Sequence, residues 1–87
     1  NFYKEQGNYE KALELYNKAL EIKLAVFGDQ HPSVGDIYYN MAIVYRQQDQ
    51  KEEAKQHYLS AAAIYENAYG KDHPDTIDAL AKAQACE

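Results

Sequence analysis

The side chains that could do chemistry in this chain are three histidines, one cysteine and a set of carboxylates. Cys86 has no histidine near it in the sequence, and no glycine-rich phosphate loop is present. His31 and His73 each precede a proline and are 42 residues apart, while His57 stands alone among polar residues. Because these histidines are not expected to converge, a shared zinc site is disfavoured. We therefore expect no enzyme activity, no metal site and no cofactor.

The charge balance and the length of the apolar runs bear on the class of partner. The formal net charge is −5 and the sequence pI is about 5.1, which argues against nucleic acid, because phosphate binding relies on clustered Lys and Arg. The longest apolar runs, such as 61–65, are far shorter than the roughly 18 to 20 residues of a membrane span. A single cysteine suits a reducing compartment. We expect a cytoplasmic protein that binds neither nucleic acid nor membrane.

The elements that would position these side chains repeat along the chain. A shift of 42 residues superimposes the segments 28–32 and 70–74, which share the pattern Gly-x-x-His-Pro. The same shift pairs aromatic, small and branched apolar residues, as in Tyr3/Tyr45, Ala12/Ala54, Tyr16/Tyr58, Ala19/Ala61 and Ile22/Ile64. A repeat of roughly 20 to 50 residues is one supersecondary unit that buries its apolar face by stacking on a neighbour.

Apolar residues at three- and four-residue steps predict helices between these segments. The first predicted helix ends at about Phe27. The other three cover Val34 to about Gln48, about Lys51 to Tyr69, and Asp75 to about Cys86. We accordingly divide the chain into 1–32, the end of a first repeat, 33–74, a complete second repeat, and 75–87, the first helix of a third. Without Pro inside the predicted helices and without an alternating pattern, the class is all-α.

The predicted helix ends follow from a few residues with special backbone preferences. Gly28 can adopt the positive φ that ends a helix, and the following His-Pro pair prevents its continuation. Ser33 and Asp36 predict a cap at the start of the next helix. Asp49 takes the position that Gly7 has in the first repeat, and both residues tolerate a positive φ. The sequence therefore predicts a tight turn at each of these two positions.

The order of aromatic and small residues resembles the tetratricopeptide repeat. The matching positions are Tyr45, Gly7 or Asp49, Tyr9, Ala12 or Ala54, Tyr16 or Tyr58, and Ala19 or Ala61. The period of 42 residues exceeds the usual length of about 34, and together with the Gly-x-x-His-Pro connectors it looks like the kinesin light chain subclass. The resemblance implies tandem antiparallel helical hairpins that form a short right-handed α-solenoid.

In repeats of this kind, the first helix of each hairpin lines a concave groove that holds an extended or helical peptide. The resemblance places eight residues in this groove: Asn1, Lys4, Tyr39, Asn40, Ile43, Arg46, Gln47 and Lys82. Asn40 matches an asparagine that hydrogen-bonds a peptide backbone or carboxylate, since an amide offers both donors and acceptors. Tyr39 and Ile43 would form an apolar shelf beside it. The three cations among these residues, Lys4, Arg46 and Lys82, would together bind an acidic peptide.

The resemblance is incomplete at the last helix. Asp78 stands where a carboxylate-binding groove of this family would place a cation, and Lys82 replaces the asparagine that a further repeat would show.

We therefore expect a non-catalytic protein–protein interaction module of the cargo-adaptor or scaffold type, which binds a short, acidic peptide motif. The alternative is a structural module that associates with itself, either through uncapped helical ends or by helix exchange. This alternative is motivated by the apolar residues of the last predicted helix that lack a following partner, namely Leu80, Ala81, Ala83 and Ala85.

Overall fold

Four α-helices joined by short turns make up the chain. The computed structural model describes residues 2–86, with side chains described from Tyr9 to Cys86. The helices are α1 (Phe2–Phe27), α2 (Pro32–Gln47), α3 (Lys51–Tyr69) and α4 (Pro74–Ala85). Residues 2–86 contain no β-strand. The predicted all-α class is confirmed, and none of these four helices combines the length and the hydropathy that a membrane span requires.

Helices α2, α3 and α4 form two successive antiparallel packings. The start of α2 lies beside the end of α3, because the Tyr65 hydroxyl donates a hydrogen bond to Asp36. The start of α3 lies beside the end of α4, because Ala54 and Ala83 belong to one buried cluster. Helix α3 is therefore the middle layer, and α2 and α4 run in the same direction on it.

The connections α1–α2 and α3–α4 have the same local structure. Gly28 and Gly70 end the preceding helices with φ values of 81° and 100°, a region that glycine enters without a steric cost. After each glycine, a histidine ring stacks on the last aromatic residue of the preceding helix, with ring centroids 4.2 Å apart at His31 and 4.4 Å apart at His73. The prediction that Gly28 ends α1 is confirmed.

The caps of α2 and α4 differ from the predicted ones. The N-cap residue of α2 is His31, whose Nδ1 accepts a hydrogen bond from the Ser33 backbone N–H at 3.1 Å. His73 makes the same bond to the Asp75 N–H at 3.1 Å. Each helix begins at the proline itself, because the first helical position needs no N–H and favours the fixed φ of proline. The prediction that Ser33 caps the helix with Asp36 is wrong.

The predicted turn at Gly7 is also not found, because α1 runs without interruption from Phe2 to Phe27. Glycine permits a positive φ but does not impose it, and in a helix it costs only about 1 kcal/mol relative to alanine. The sequence on both sides of Gly7 is rich in Lys, Glu, Gln and Ala, which favour helix. The first helix is therefore longer than the sequence pattern predicts.

The turn between α2 and α3 forms where it is predicted, at Asp49. Asp49 has a φ of 65°. Its N–H donates to the Arg46 carbonyl at 3.0 Å, and the Gln50 N–H donates to the Tyr45 carbonyl at 2.9 Å. These two bonds make up the Schellman motif, which satisfies carbonyls at the end of a helix.

Small residues line the surfaces at which α3 meets its two neighbours. One buried cluster contains Ala42, Ala54, Tyr58, Ala83 and Cys86, and a second contains Ala61, Ala62, Tyr65 and Ala79. Gly35 on α2 allows a close approach of α3, since a Cβ at this position would lie 3.0 Å from Cε1 of Tyr65. The tyrosine rings fill the space beside these contacts.

We expect that enlarging a small residue at such a contact destabilises the fold. Ala61→Leu inserts methylene groups at a position with 0% exposure, so the free energy of unfolding should fall by about 1 to 3 kcal/mol. The matched control is Ala63→Leu on the exposed side of the same helix, for which a change within about 0.5 kcal/mol is expected. Urea unfolding followed by circular dichroism measures both values. Equal stability of the two leucine variants would contradict this packing.

Candidate functional site

The candidate site is the face formed by α2 and α4, which we call the α2–α4 face. Its α2 residues are Tyr39, Asn40, Ile43, Arg46 and Gln47, and Lys82 represents α4. Steps of three, four and seven residues place side chains on one side of a helix. Of the eight predicted groove residues, Asn1 and Lys4 lie outside the residues whose side chains the structure describes.

Tyr39 joins the two helices of this face. Its hydroxyl donates a hydrogen bond to Oδ2 of Asp78 on α4. Its ring packs edge-on against the ring of Tyr58 on α3, with centroids 5.3 Å apart and an interplanar angle of 76°. Burial, together with the bond to the Asp78 carboxylate, raises the pKa of Tyr39 well above its usual value. Tyr39 is therefore held by the chain's own residues on its hydroxyl side.

The carboxylate of Asp78 connects two of the predicted groove residues. Oδ2 accepts from Tyr39, and Oδ1 lies 3.5 Å from Nζ of Lys82, one turn further along α4. Both members of the ion pair keep about half of their side-chain surface exposed, at 40% for Lys82 and 51% for Asp78. Such a pair contributes about 0 to 1 kcal/mol, so Lys82 remains available to a competing carboxylate.

A second tyrosine–carboxylate pair lies between α2 and α3. The Tyr65 hydroxyl donates to Oδ1 of Asp36, which is the residue that corresponds to Asp78 after the 42-residue shift. Burial and this hydrogen bond raise the pKa of Tyr65 well above its usual value. Asp36 therefore satisfies a buried phenol instead of capping its helix.

The two pairs border one cavity at the starts of α2 and α4. The cavity has a volume of about 250 Å³ and is lined by Asp36, Tyr39, Tyr65, Asp75 and Asp78. Three carboxylates give this end of the face a negative potential, which disfavours an acidic ligand group there. Among the described residues, no group of three His, Cys, Asp or Glu side chains could hold a metal ion.

The opposite end of the face carries Arg46. Its side chain is exposed and interacts with the hydroxyl of Tyr58. Tyr58 itself is only 1% exposed. Burial raises the pKa of Tyr58, and the hydrogen bond and charge of Arg46 partly oppose this effect. Arg46 thus interacts with a buried phenol, which the sequence pattern does not indicate, and its exposed side can still contact a ligand.

Asn40, Ile43 and Gln47 lie between these two charged ends. Ile43 is half-buried and packs against the cluster that contains Tyr58. Asn40 is half-buried and Gln47 is exposed. Within residues 9–86, no hydrogen bond engages the Asn40 amide. The central part of the face therefore offers an amide and an apolar side chain next to each other.

The tyrosine–carboxylate pairs are the features that sequence reasoning missed. The signal was present in the identity of Asp36 and Asp78 under the 42-residue shift. The two residues have different partners, however, since Tyr65 belongs to the next helix and Tyr39 to the preceding repeat. The spacing alone shows that the carboxylates are equivalent and does not reveal which phenol each one accepts.

Comparison with known families gives one match that spans most of the chain. The model of the family described as Tetratricopeptide repeat matches residues 1–67.

Comparison with curated proteins gives relatives that are much longer than this chain. A clustered mitochondria protein homolog of Ajellomyces capsulatus (strain NAm1 / WU24) is 32% identical over 72 residues, which is 83% of this chain and 6% of that protein. Homologs of the same name from Aspergillus niger and Aspergillus oryzae are 31% identical over 72 residues, again 6% of their length. The chain thus spans about 6% of the curated relatives that it matches.

The raised pKa values of Tyr39 and Tyr65 predict a loss of stability at alkaline pH. An unfolded tyrosine loses its proton at about pH 10, whereas both folded phenols hold theirs to higher pH. The stabilisation is therefore complete below about pH 10 and declines as the pH rises above this value. We expect the double variant Tyr39→Phe/Tyr65→Phe to reduce this decline in the free energy of unfolding.

Urea unfolding at several values between about pH 9 and pH 11 measures the effect. Tyr69→Phe is the matched control, because Tyr69 is exposed and both tyrosine–carboxylate bonds remain. If the double variant had the same pH dependence as the wild-type chain, these two phenols would not be the cause.

Proposed function

Because this chain belongs to the tetratricopeptide repeat family, we propose that it is a non-catalytic adaptor or scaffold module that binds a short acidic peptide of a partner protein along the α2–α4 face. Membership of this family supports a protein–protein interaction module. The peptide, its acidic character and the adaptor role are our proposals for this chain.

The observation that carries the proposal is the position of Asn40. Its amide is half-buried and has no hydrogen-bond partner among the described side chains, while Ile43 next to it presents a half-buried apolar side chain. An amide can bind a peptide N–H and a carbonyl at once. A peptide backbone laid across the middle of the face would satisfy Asn40 and cover Ile43.

The charges on the face suggest the orientation of such a peptide. The cavity with Asp36, Asp75 and Asp78 disfavours an acidic group at the starts of α2 and α4. Arg46 lies at the other end of α2 and is exposed. In our proposal, the acidic group of the peptide contacts Arg46, and Lys82 assists from α4 by exchanging its weak bond to Asp78.

Preorganisation would provide the affinity. The helices of the face are fixed to α3 by buried small residues, and Tyr39 ties α2 to α4. The protein therefore loses little conformational freedom when a peptide binds, and the peptide bears most of the ordering cost.

The test is selection from a displayed library of random short peptides, followed by fluorescence polarisation with a labelled selected peptide. We expect the selected sequences to be enriched in Asp and Glu. The double variant Asn40→Ala/Arg46→Glu should weaken binding on the order of 10- to 100-fold, because hydrogen bonds to charged groups contribute about 1.5 to 3 kcal/mol.

The matched control is Lys51→Glu, which makes the same charge change as Arg46→Glu at an exposed position on α3. This control should bind the peptide almost as well as the wild-type chain, and circular dichroism should show equal helicity for all variants. Unchanged affinity of the double variant would refute binding at this face. Selection of basic peptides would refute the acidic class of ligand.

Self-association is a second candidate function, and a specific observation favours it. Large apolar side chains are exposed on both outer helices, namely Leu15, Ile22 and Val26 on α1 and Ile77 and Leu80 on α4. Large exposed apolar patches often mark protein–protein interfaces.

A further inference from the structure

The three histidines of the chain differ in the role of their Nδ1 atoms. In His31 and in His73, Nδ1 accepts a hydrogen bond from the backbone N–H two residues further along, at 3.1 Å in both cases. In His57, Nδ1 lies 2.8 Å from the carbonyl oxygen of Glu53, which can only accept. His57 therefore donates through Nδ1, whereas the two capping histidines need this nitrogen without a proton.

A protonated imidazole cannot serve as either cap. Both of its ring nitrogens carry a proton, so neither can accept a hydrogen bond. Its positive charge is also unfavourable beside the N-terminus of a helix, where the helix dipole is positive. Histidine gains this proton at about pH 6.5. Mild acidification therefore removes an N-cap, whereas His57 keeps its donor in both protonation states.

The cap at His31 supports the turn through which α2 contacts α3. Val34 in this turn has 0% exposure. A Cβ on Gly35 would lie 3.0 Å from the ring of Tyr65, and Asp36 accepts the hydrogen bond of the Tyr65 hydroxyl. Loss of the cap would therefore loosen the turn that carries these contacts.

The connection between α3 and α4 has two contacts that the connection between α1 and α2 lacks. Oδ2 of Asp75 lies 3.9 Å from Nδ1 of His73, so a protonated His73 has a carboxylate partner. The Thr76 hydroxyl donates a hydrogen bond to the Gly70 carbonyl at 2.9 Å, which holds the connection to the start of α4. The equivalent positions before α2 hold a serine and a valine, so both contacts are missing there.

The charged groups around the first connection do not neutralise a proton on His31. They are Lys23 on α1, whose ammonium lies 5.2 Å from the centroid of the ring on which His31 stacks, Asp29 in the connection, and Asp36 on α2. The carboxylate of Asp36 is already bound by a tyrosine of α3. Among the residues whose side chains the structure describes, no carboxylate forms an ion pair with His31.

We propose that His31 is an acid-sensitive switch at the junction of α1 and α2, which caps α2 when it is neutral and releases the first turn of α2 when it is protonated. The stack of His31 on Phe27 requires no particular protonation state, so the ring can stay beside α1 while the cap is lost. His73 responds less, because Asp75 pairs with its protonated ring. Acidification thus loosens the start of α2 and leaves the start of α4 in place. This inference depends neither on peptide binding nor on self-association.

The test compares each variant with itself by urea unfolding at about pH 7.5 and about pH 5.5, a range in which histidine titrates while most carboxylates stay charged. Stabilisation by the His31 cap is complete above about pH 6.5 and declines as the pH falls below this value. For the wild-type chain, we expect the unfolding equilibrium constant to rise by about 2- to 10-fold on acidification, since a cap is lost and one proton is bound.

His31→Asn introduces a capping residue that does not titrate, so this variant should lose most of the rise. His73→Asn should keep most of it. His57→Asn is the matched control and should keep all of it, because the Nδ1 bond of His57 survives protonation. A wild-type unfolding constant that is equal at the two pH values would refute the switch. So would a rise in His31→Asn as large as that of the wild-type chain.

A second measurement uses only the wild-type chain and does not depend on the folding of any variant. In NMR spectra recorded over the same pH range, the Ser33 amide proton should move upfield as His31 becomes protonated, because it loses its acceptor. The Asp75 amide proton should move less. A Ser33 amide that keeps its chemical shift while His31 titrates would contradict the loss of the cap, and equal shifts of both amides would contradict the assignment to the junction of α1 and α2.

Discussion

The close approach of α3 to α2 and α4 is the constraint on which the rest of the structure depends. It requires residues with little or no side chain at the contacts, and Gly35, Ala54 and Ala61 provide them. The tyrosines beside these contacts become buried, and a buried hydroxyl must find a hydrogen-bond partner. Asp36 provides that partner for Tyr65. The packing of small residues therefore determines where polar groups of the α2–α4 face are needed.

Much of the fold could be predicted from the sequence, because its ends and turns depend on local backbone preferences. Gly28 and Asp49 adopt positive φ values, as their residue types allow, and α3 has the predicted bounds. Local preferences were insufficient in two places. Gly7 tolerates both a turn and a helix, and the helix is formed. The sequence after Gly28 permits a cap at His31 as well as at Ser33, and the imidazole of His31 is the cap, because it accepts a hydrogen bond from the backbone N–H of Ser33.

The candidate site could be predicted only in outline, because its polar contacts join residues from different helices. Asp78 accepts from Tyr39, which is 39 positions away in the sequence, and no periodicity reveals such a pair. As a result, Asp36, which the sequence pattern assigns to a cap, instead lies with Asp75 and Asp78 at one end of the α2–α4 face. The sequence pattern assigned Arg46 to the groove and gave no sign that it also interacts with the hydroxyl of the buried Tyr58. Negative charge lies at the starts of α2 and α4, and the positive charge of Arg46 lies at the opposite end of the face. A bound peptide would have to match this polarity.

The central claim is that α3 holds α2 and α4 as one preformed unit, and native-state amide hydrogen exchange by NMR tests it most directly. Ala42, Ala61 and Ala83 report on the three helices at their buried contacts. We expect these amides to exchange with one common free energy of opening, equal to that of global unfolding. Exchange of Ala83 with a much smaller free energy than Ala61 would show that α4 detaches on its own, and it would contradict a preformed face.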